Sequence, residues 1–176
     1  MRLLKRILFV IAVLVIMYVL GPHPSSPVYN KAMPAVPATS ALLETYISQQ
    51  EAQHKIKPGN EARIVWANDS LKQKTEYAIV YLHGFTASQE EGNPVHRNIA
   101  RQFGCNLYLS RLSQHGIDTT DALINMTADN LWESAKQAYA IGKQLGNKVI
   151  LMGTSTGVTL PLELAAAYPE ITGLVL

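Results

Sequence analysis

From residue 77 onward, short apolar segments alternate with amphipathic ones, and this alternation constrains the fold more than any other feature of the chain. The pattern predicts strands at 77–84, 105–110, 148–153 and 171–176, with helices at 93–103, 127–146 and 156–170. Near-continuous apolar strands are typical of a sheet that is buried on both faces. The alternation therefore predicts an α/β fold, with a mostly parallel sheet and helices on both of its faces.

The segment MGTSTG (152–157) joins the third of these strands to the helix that follows it. A sharp strand-to-helix turn forces its tip residue, Ser155, into a strained conformation and brings its neighbours close to other backbone. Only small side chains fit there, and Gly153 and Gly157 meet that need. Ser155 would stand exposed at the carboxyl end of the sheet, beside a helix N-terminus that favours negative charge. A G-x-S-x-G match also arises by chance as a glycine-rich turn, but this context indicates a nucleophile elbow.

A second motif, HGF (83–85), directly follows the first predicted strand. Gly84 lets the loop turn tightly, so that the backbone N–H of Phe85 points inward. That N–H and the N–H of Thr156 would be the two donors of an oxyanion hole. The motifs lie about 70 residues apart in the chain, and each follows a buried strand. Together they predict serine-based acyl transfer.

At these motifs the chain resembles the α/β-hydrolase superfamily, and within it the carboxylesterase and monoacylglycerol-lipase-like group, often called serine aminopeptidase-type hydrolases. The resemblance covers about residues 60 to 176 and is carried by YLHGFTAS, LSRLSQHGID, NLWESAKQAY, VILMGTSTG and AAAYPEITGLVL.

The resemblance implies Ser155 as the nucleophile, Phe85 and Thr156 as oxyanion donors, and no cofactor or metal. One departure is Gln114, which stands where the group commonly has a glycine before His-Gly.

The base that would activate Ser155 is the missing part of this machinery. In the group, the acid and the histidine follow the nucleophile along the chain. We expect both beyond Leu176, which makes the sequence a C-terminally truncated fragment of a longer hydrolase. His115 is the best internal substitute, although we expect it to organise its loop, as we expect His83 to brace the HGF loop. His96, on a helix, is expected to be solvated.

The N-terminus carries a membrane signal. Three cationic residues precede an uninterrupted apolar run at 7–20, and residues 3–20 together approach the ~17–20 residues that a spanning helix needs. A cleaved signal peptide, which would leave the protein secreted, is the alternative. Cleavage favours small residues, and here Gly21 is followed at once by Pro22. We therefore expect an uncleaved single-pass anchor, with the N-terminus cytoplasmic and the catalytic domain outside.

The expected division is a membrane anchor at 1–21, a proline-rich linker at 22–39 and a partial α/β-hydrolase domain at 40–176. The linker holds five of the nine prolines and is expected to be extended and semi-rigid. Within the last part, a helix from residue 40 to about His54 and a strand at 62–67 precede the alternating region.

Charge and cysteine content exclude several other classes. The net charge is +2, with both signs interspersed, so no basic face for nucleic acid is indicated. The single cysteine, Cys105, excludes an intrachain disulfide and is expected to be a small buried residue. The spacing of His and Cys predicts no metal site.

The sequence thus favours a membrane-anchored serine hydrolase that cleaves carboxylic esters through an acyl-enzyme on Ser155. Its substrate would be a small-molecule or lipid-like ester, and its membrane contact residues 3–20. The alternative is a truncated, catalytically inactive protein with this fold and a binding role or none. A dinucleotide-binding domain shares the strand–helix pattern, but no G-x-G-x-x-G opens a helix here.

Overall fold

The computed structural model describes residues 2–23 and 25–176. In this part of the chain, five helices, five strands and one 3₁₀ turn follow one another. Their bounds are α1 Arg2–Leu20, α2 Ser40–Glu51, β1 Arg63–Val65, β2 Thr75–Leu82, the 3₁₀ turn Gln89–Gly92, α3 Val95–Gln102, β3 Asn106–Leu109, α4 Ala128–Leu145, β4 Gly146–Gly153, α5 Thr156–Ala167 and β5 Gly173–Val175.

The five strands form one sheet in the order β1-β3-β2-β4-β5. The pairs β2–β3, β2–β4 and β4–β5 are parallel, while β1 is antiparallel to β3. The predicted mostly parallel sheet is therefore confirmed. The four parallel strands end at one side of the sheet, which we call the carboxyl edge, and begin at the other side, the amino edge.

Apolar side chains are buried on both faces of the sheet, as the near-continuous apolar strands predicted. Successive residues of the central strand β2 enter different clusters: Val80 belongs to the larger one and Ile79 to the smaller one. The larger cluster includes residues of α2, α4 and α5, and the smaller one includes a residue of α3. Each fully buried aliphatic side chain contributes about 1.5–3 kcal/mol, so the helices are held on both faces.

The direction of α4 relative to the sheet determines which of its ends lies at the carboxyl edge. Its last residue, Leu145, accepts hydrogen bonds through its carbonyl oxygen from Asn106 Nδ2 (2.9 Å) and Thr75 Oγ1 (3.3 Å). These partners stand at the start of β3 and β2, so the end of α4 lies at the amino edge. The first turn of α4 therefore lies at the carboxyl edge. It is closed there by a capping box between Thr127 and Asn130.

Gly146, the last residue of the helix predicted at 127–146, is instead the first residue of β4. Its φ of −145° and ψ of 159° are extended and not left-handed. A Cβ at this position would overlap the backbone nitrogen of Ala78 in β2. Helix α4 passes directly into β4 at this residue. Glycine is required here because the backbones of β4 and β2 approach each other too closely for a side chain.

The expectation that His96 is solvated is wrong. Its side chain is fully buried in α3, with its ring edge-on to Tyr81 at 4.8 Å between centroids. Its Nε2 donates to the carbonyl oxygen of Gln89 at 2.8 Å. Burial lowers the pKa of this imidazole, so His96 is a neutral packing residue.

The linker does not stand free of the domain along its whole length. Residues 28–36, which we call the strap, lie against α4. Trp132 Nε1 donates to the carbonyl oxygen of Asn30 at 2.7 Å, and Lys136 Nζ donates to that of Ala32 at 2.8 Å. Met33 and Val36 pack against the larger apolar cluster. The division into anchor, linker and hydrolase domain stays a prediction, but the strap is packed as part of the folded body.

Helix α1 stands apart from this packing. None of its residues is buried, and it is long and apolar enough to cross a membrane by length and composition alone. A signal sequence near an N-terminus has the same properties.

Candidate active site

Ser155 occupies the turn between β4 and α5, and its side chain is exposed. Its φ of 54° and ψ of −117° lie outside the regions that L residues favour, at a cost of about 1–3 kcal/mol. A Cβ on Gly153 would overlap the carbonyl oxygen of Gly157, and a Cβ on Gly157 would overlap that of Leu82. The turn therefore has the steric requirement that the G-x-S-x-G spacing predicted.

The HGF loop comes directly against this turn. A Cβ built on Gly84 would lie 3.3 Å from the Cβ of Ser155, so the loop backbone and the serine are neighbours. Among residues 2–23 and 25–176, no hydrogen bond engages the backbone N–H of Phe85 or of Thr156. Two backbone donors on the two elements beside Ser155 are thus without a protein partner.

His83 braces the loop, as expected. Its Nδ1 donates to the carbonyl oxygen of Gly84 at 2.9 Å, and its Nε2 accepts the backbone N–H of Leu112 at 3.1 Å. This pattern requires a neutral ring with its proton on Nδ1. Burial is the main cause that lowers the pKa of His83 to about 4. Because both ring nitrogens are engaged, His83 has no free nitrogen to serve Ser155.

Glu91 is a residue of the site that the sequence analysis missed. Its Oε2 accepts the backbone N–H of Gly84 at 2.7 Å and lies 3.4 Å from the Tyr81 hydroxyl. That hydroxyl in turn pairs with Thr154 Oγ1 at 3.1 Å. A chain of polar contacts therefore joins the 3₁₀ turn, the HGF loop and the residue before Ser155. The only signal in the sequence is the acidic pair that follows the loop in EEG.

His115 lies on the loop that joins β3 to α4 and is 2% exposed. Its Nδ1 donates to the carbonyl oxygen of Ser113 at 2.9 Å, and its ring stands 4.9 Å from that of His83. Its Nε2 is buried without a hydrogen-bond partner among the described residues. Burial lowers its pKa, so the ring is neutral with Nε2 unprotonated. No hydrogen bond joins it to Ser155.

The backbone conformation at Gln114, the residue before His-Gly, is one that glycine adopts more easily than glutamine. Its φ is 64°, in the left-handed region. A non-glycine residue pays roughly 1–2 kcal/mol there, because Cβ crowds the following carbonyl oxygen.

An open cavity of about 430 Å³ adjoins these loops on the side of the HGF motif. Its lining includes Thr86, Ser88, His115 and Leu123. The cavity therefore brings polar groups and an apolar side chain together beside the residues that follow the HGF motif, and Ser155 is not part of its lining.

Three comparisons with known proteins bear on this site. No family model matches the chain. The chain is similar to a thermostable monoacylglycerol lipase from Bacillus sp. (strain H-257), with 32% identity over 98 residues that cover 55% of this chain and 38% of the lipase.

It is also similar to a solved structure from work on LipS and LipT, two metagenome-derived lipolytic enzymes. The TM-score is 0.58 at 22% identity, over 68% of this chain and 46% of that one. The chain thus spans less than half the length of either protein. It has the α/β-hydrolase fold and resembles the esterase- and lipase-like group of that superfamily.

Proposed function

We propose that the protein is a membrane-anchored serine hydrolase that cleaves carboxylic esters, with Ser155 as the nucleophile. The observation that carries the proposal is the strained turn at Ser155 with the HGF loop against it. A hydroxyl presented on a strained turn beside unpaired backbone donors is the arrangement that acyl transfer needs. The names of the two similar proteins, a lipase and a lipolytic enzyme, support lipid-like esters as the substrate class.

In the proposed reaction, Ser155 Oγ attacks the ester carbonyl carbon while its proton passes to a general base. The carbonyl oxygen becomes an oxyanion and accepts hydrogen bonds from the N–H groups of Phe85 and Thr156. Collapse of this intermediate breaks the bond to the alcohol, which leaves with the proton, and an acyl-enzyme remains. Water then attacks the acyl-enzyme in the same way and releases the acid. Each oxyanion donor typically contributes about 2.7–4 kcal/mol to such a step.

The geometry of the donors depends on Glu91. Its carboxylate accepts the N–H of Gly84, the residue before Phe85, and would so fix the backbone from which the Phe85 N–H donates. We therefore assign Glu91 as a positioning residue for the oxyanion hole.

The membrane contact in the proposal is α1. Its cationic start and apolar length favour an uncleaved single-pass helix with the cationic end in the cytoplasm. The hydrolase domain would then act outside the cytoplasm.

A second candidate function is a non-catalytic protein with this fold. It is favoured by one observation: among the described residues, no histidine or carboxylate hydrogen-bonds to Ser155. A serine hydroxyl without a base reacts slowly.

A fluorophosphonate probe separates the two candidates, because only an activated serine reacts with it rapidly. We expect the protein, in its own membrane fraction, to be labelled at Ser155. Ser155→Ala should abolish the labelling, whereas Ser48→Ala, at an exposed serine on α2, should leave it unchanged. A protein that resists the probe at Ser155 would support the non-catalytic candidate.

A further inference from the structure

We propose that the strap orients the domain so that the carboxyl edge, which holds Ser155, faces the bilayer, and that the substrate is an ester carried in that same bilayer. The inference rests on the proposed function, since it requires α1 to span the membrane. Its evidence is the path of residues 28–36 across the folded domain.

The strap enters the domain at the carboxyl edge. A carboxylate oxygen of Asp129 accepts the backbone N–H groups of Val28 and Tyr29 at 2.8 and 3.1 Å. Asp129 belongs to the first turn of α4, and that turn lies at the carboxyl edge because the other end of α4 adjoins the starts of β2 and β3. The chain therefore meets the domain on the same side as Ser155.

From this point the strap runs away from the carboxyl edge. Its later hydrogen bonds reach Trp132 and then Lys136, so three successive contacts step along α4. Seven residues of helix correspond to about 10 Å along its axis. Because the strap descends along α4, the residues before Val28 leave the domain on the carboxyl side.

Three further hydrogen bonds from side chains of the domain fix the path of the strap. Trp132 is 2% exposed and its indole N–H has the carbonyl oxygen of Asn30 as partner. The Lys136 ammonium is fully buried, and its partners are the carbonyl oxygen of Ala32 and the Glu133 carboxylate. Tyr168 also donates its hydroxyl to the carbonyl oxygen of Lys31 at 2.9 Å. Detaching the strap would break these three hydrogen bonds and expose the apolar contacts of Met33 and Val36, which is costly.

The connection between α1 and the strap is short. Seven residues, 21–27, separate Leu20 from Val28. Fully extended, the eight Cα–Cα steps from Leu20 to Val28 span about 28 Å. A folded body of about 150 residues is roughly 38 Å across. The tether is therefore shorter than the domain is wide, and the edge to which it attaches stays nearer the membrane.

Exposed apolar residues do not decide the orientation by themselves. Phe85 and Ile124 are exposed on loops of the carboxyl edge, but Phe103 is exposed at the amino edge. The attachment point and the tether length carry the inference.

The test places one fluorophore at each edge of the full chain, reconstituted in lipid vesicles in a Cys105→Ala background. Ile124→Cys labels the loop that joins β3 to α4, and Asn147→Cys labels the start of β4. Neither residue belongs to the proposed catalytic machinery. With a quencher attached to the lipid headgroups, we expect stronger quenching at position 124 than at 147. Equal quenching, or stronger quenching at 147, would overturn the orientation.

Flotation of the vesicles after a carbonate wash separates this inference from the function on which it rests. Protein that fails to float overturns the anchoring and the orientation together. Protein that floats with equal quenching at the two edges overturns the orientation alone.

The substrate claim has its own arm, with a long-chain monoacyl ester placed either in the protein's vesicles or in separate protein-free vesicles. High local concentration should make hydrolysis in the shared vesicles at least about tenfold faster. Equal rates would overturn the claim that the substrate comes from the same bilayer. Absence of hydrolysis in both would overturn the proposed function as well, while the quenching result would still decide the orientation.

Discussion

At the residue scale, Ser155 and its two glycines show which parts of a site can be foreseen. The need for small residues beside a sharp turn depends on neighbouring residues only. The spacing of Gly153, Ser155 and Gly157 in the sequence is therefore enough to predict the turn. The contacts of Glu91 are different, because its carboxylate reaches back seven residues to Gly84 through the course of a turn. No local pattern distinguishes that acid from a solvated one, and the sequence analysis missed it for this reason.

Replacement of Glu91 tests its role on the HGF loop. Glu91→Ala removes the acceptor of the Gly84 N–H, and we expect the rate of fluorophosphonate labelling at Ser155 to fall about tenfold. Glu91→Gln keeps an oxygen acceptor and should retain most of the rate. Equal rates for the two variants would contradict the role, provided both unfold at the same denaturant concentration as the parent.

Gln114 offers a stabilising substitution. Its left-handed backbone is strained for glutamine and ordinary for glycine, so Gln114→Gly should raise the free energy of unfolding by about 1 kcal/mol. Urea denaturation measures the change. A contrasting variant is Gln137→Gly inside α4, which should lower stability because it loses helix propensity and the hydrogen bond from Gln137 Nε2 to the Tyr46 hydroxyl. A loss of stability in Gln114→Gly would show that the glutamine side chain makes a compensating contact.

The buried His83 predicts a pH dependence of stability. Its pKa is lowered to about 4 in the fold, while an unfolded histidine titrates near 6.5. Between these values the unfolded state binds more protons, so the free energy of unfolding should fall as the pH decreases through this window. The full shift corresponds to about 3 kcal/mol. Denaturation of the parent and of His83→Asn across pH 7 to 4 should show a shallower slope in the variant; parallel slopes would contradict the assignment.

At the element scale, helices and strands with strong local signals were predicted well. The pattern at 127–146 corresponds to α4 at Ala128–Leu145, because a capping residue and a continuous apolar face mark it. The strap was not predicted as packed, since its hydrogen bonds come from side chains about 100 residues away. The burial of His96 also depends on a distant strand, through Tyr81. Contacts between residues that are far apart in the chain produce no periodic pattern in the sequence, so they cannot be predicted from it.

Two tryptophans provide a matched test of the strap. Trp132→Phe keeps a smaller aromatic ring and removes the N–H that donates to the carbonyl oxygen of Asn30, whereas Trp66→Phe makes the same change at an N–H that donates to Glu44. Loss of one such hydrogen bond costs about 1–3 kcal/mol when the acceptor is left buried. We expect limited proteolysis within residues 28–36 to accelerate in Trp132→Phe and to stay unchanged in Trp66→Phe. Equal cleavage in both variants would contradict a fixed strap.

At the scale of the whole molecule, the candidate active site and the attachment point of the strap lie on the same side of the sheet. The carboxyl edge gathers the turn at Ser155, the HGF loop and the point where the strap joins the domain. The fold class and this gathering of loops follow from the strand–helix alternation, because parallel strands end on the same side. The antiparallel pairing of β1 does not follow from it, since a three-residue strand has no directional signal.

The measurement that tests the central claim most directly is mass spectrometry of the protein quenched during turnover of a carboxylic ester. The account predicts an acyl group on the peptide that contains Ser155, and neither adduct nor hydrolysis in Ser155→Ala. Ester hydrolysis that persists in Ser155→Ala, or an adduct confined to another residue, would contradict Ser155 as the nucleophile.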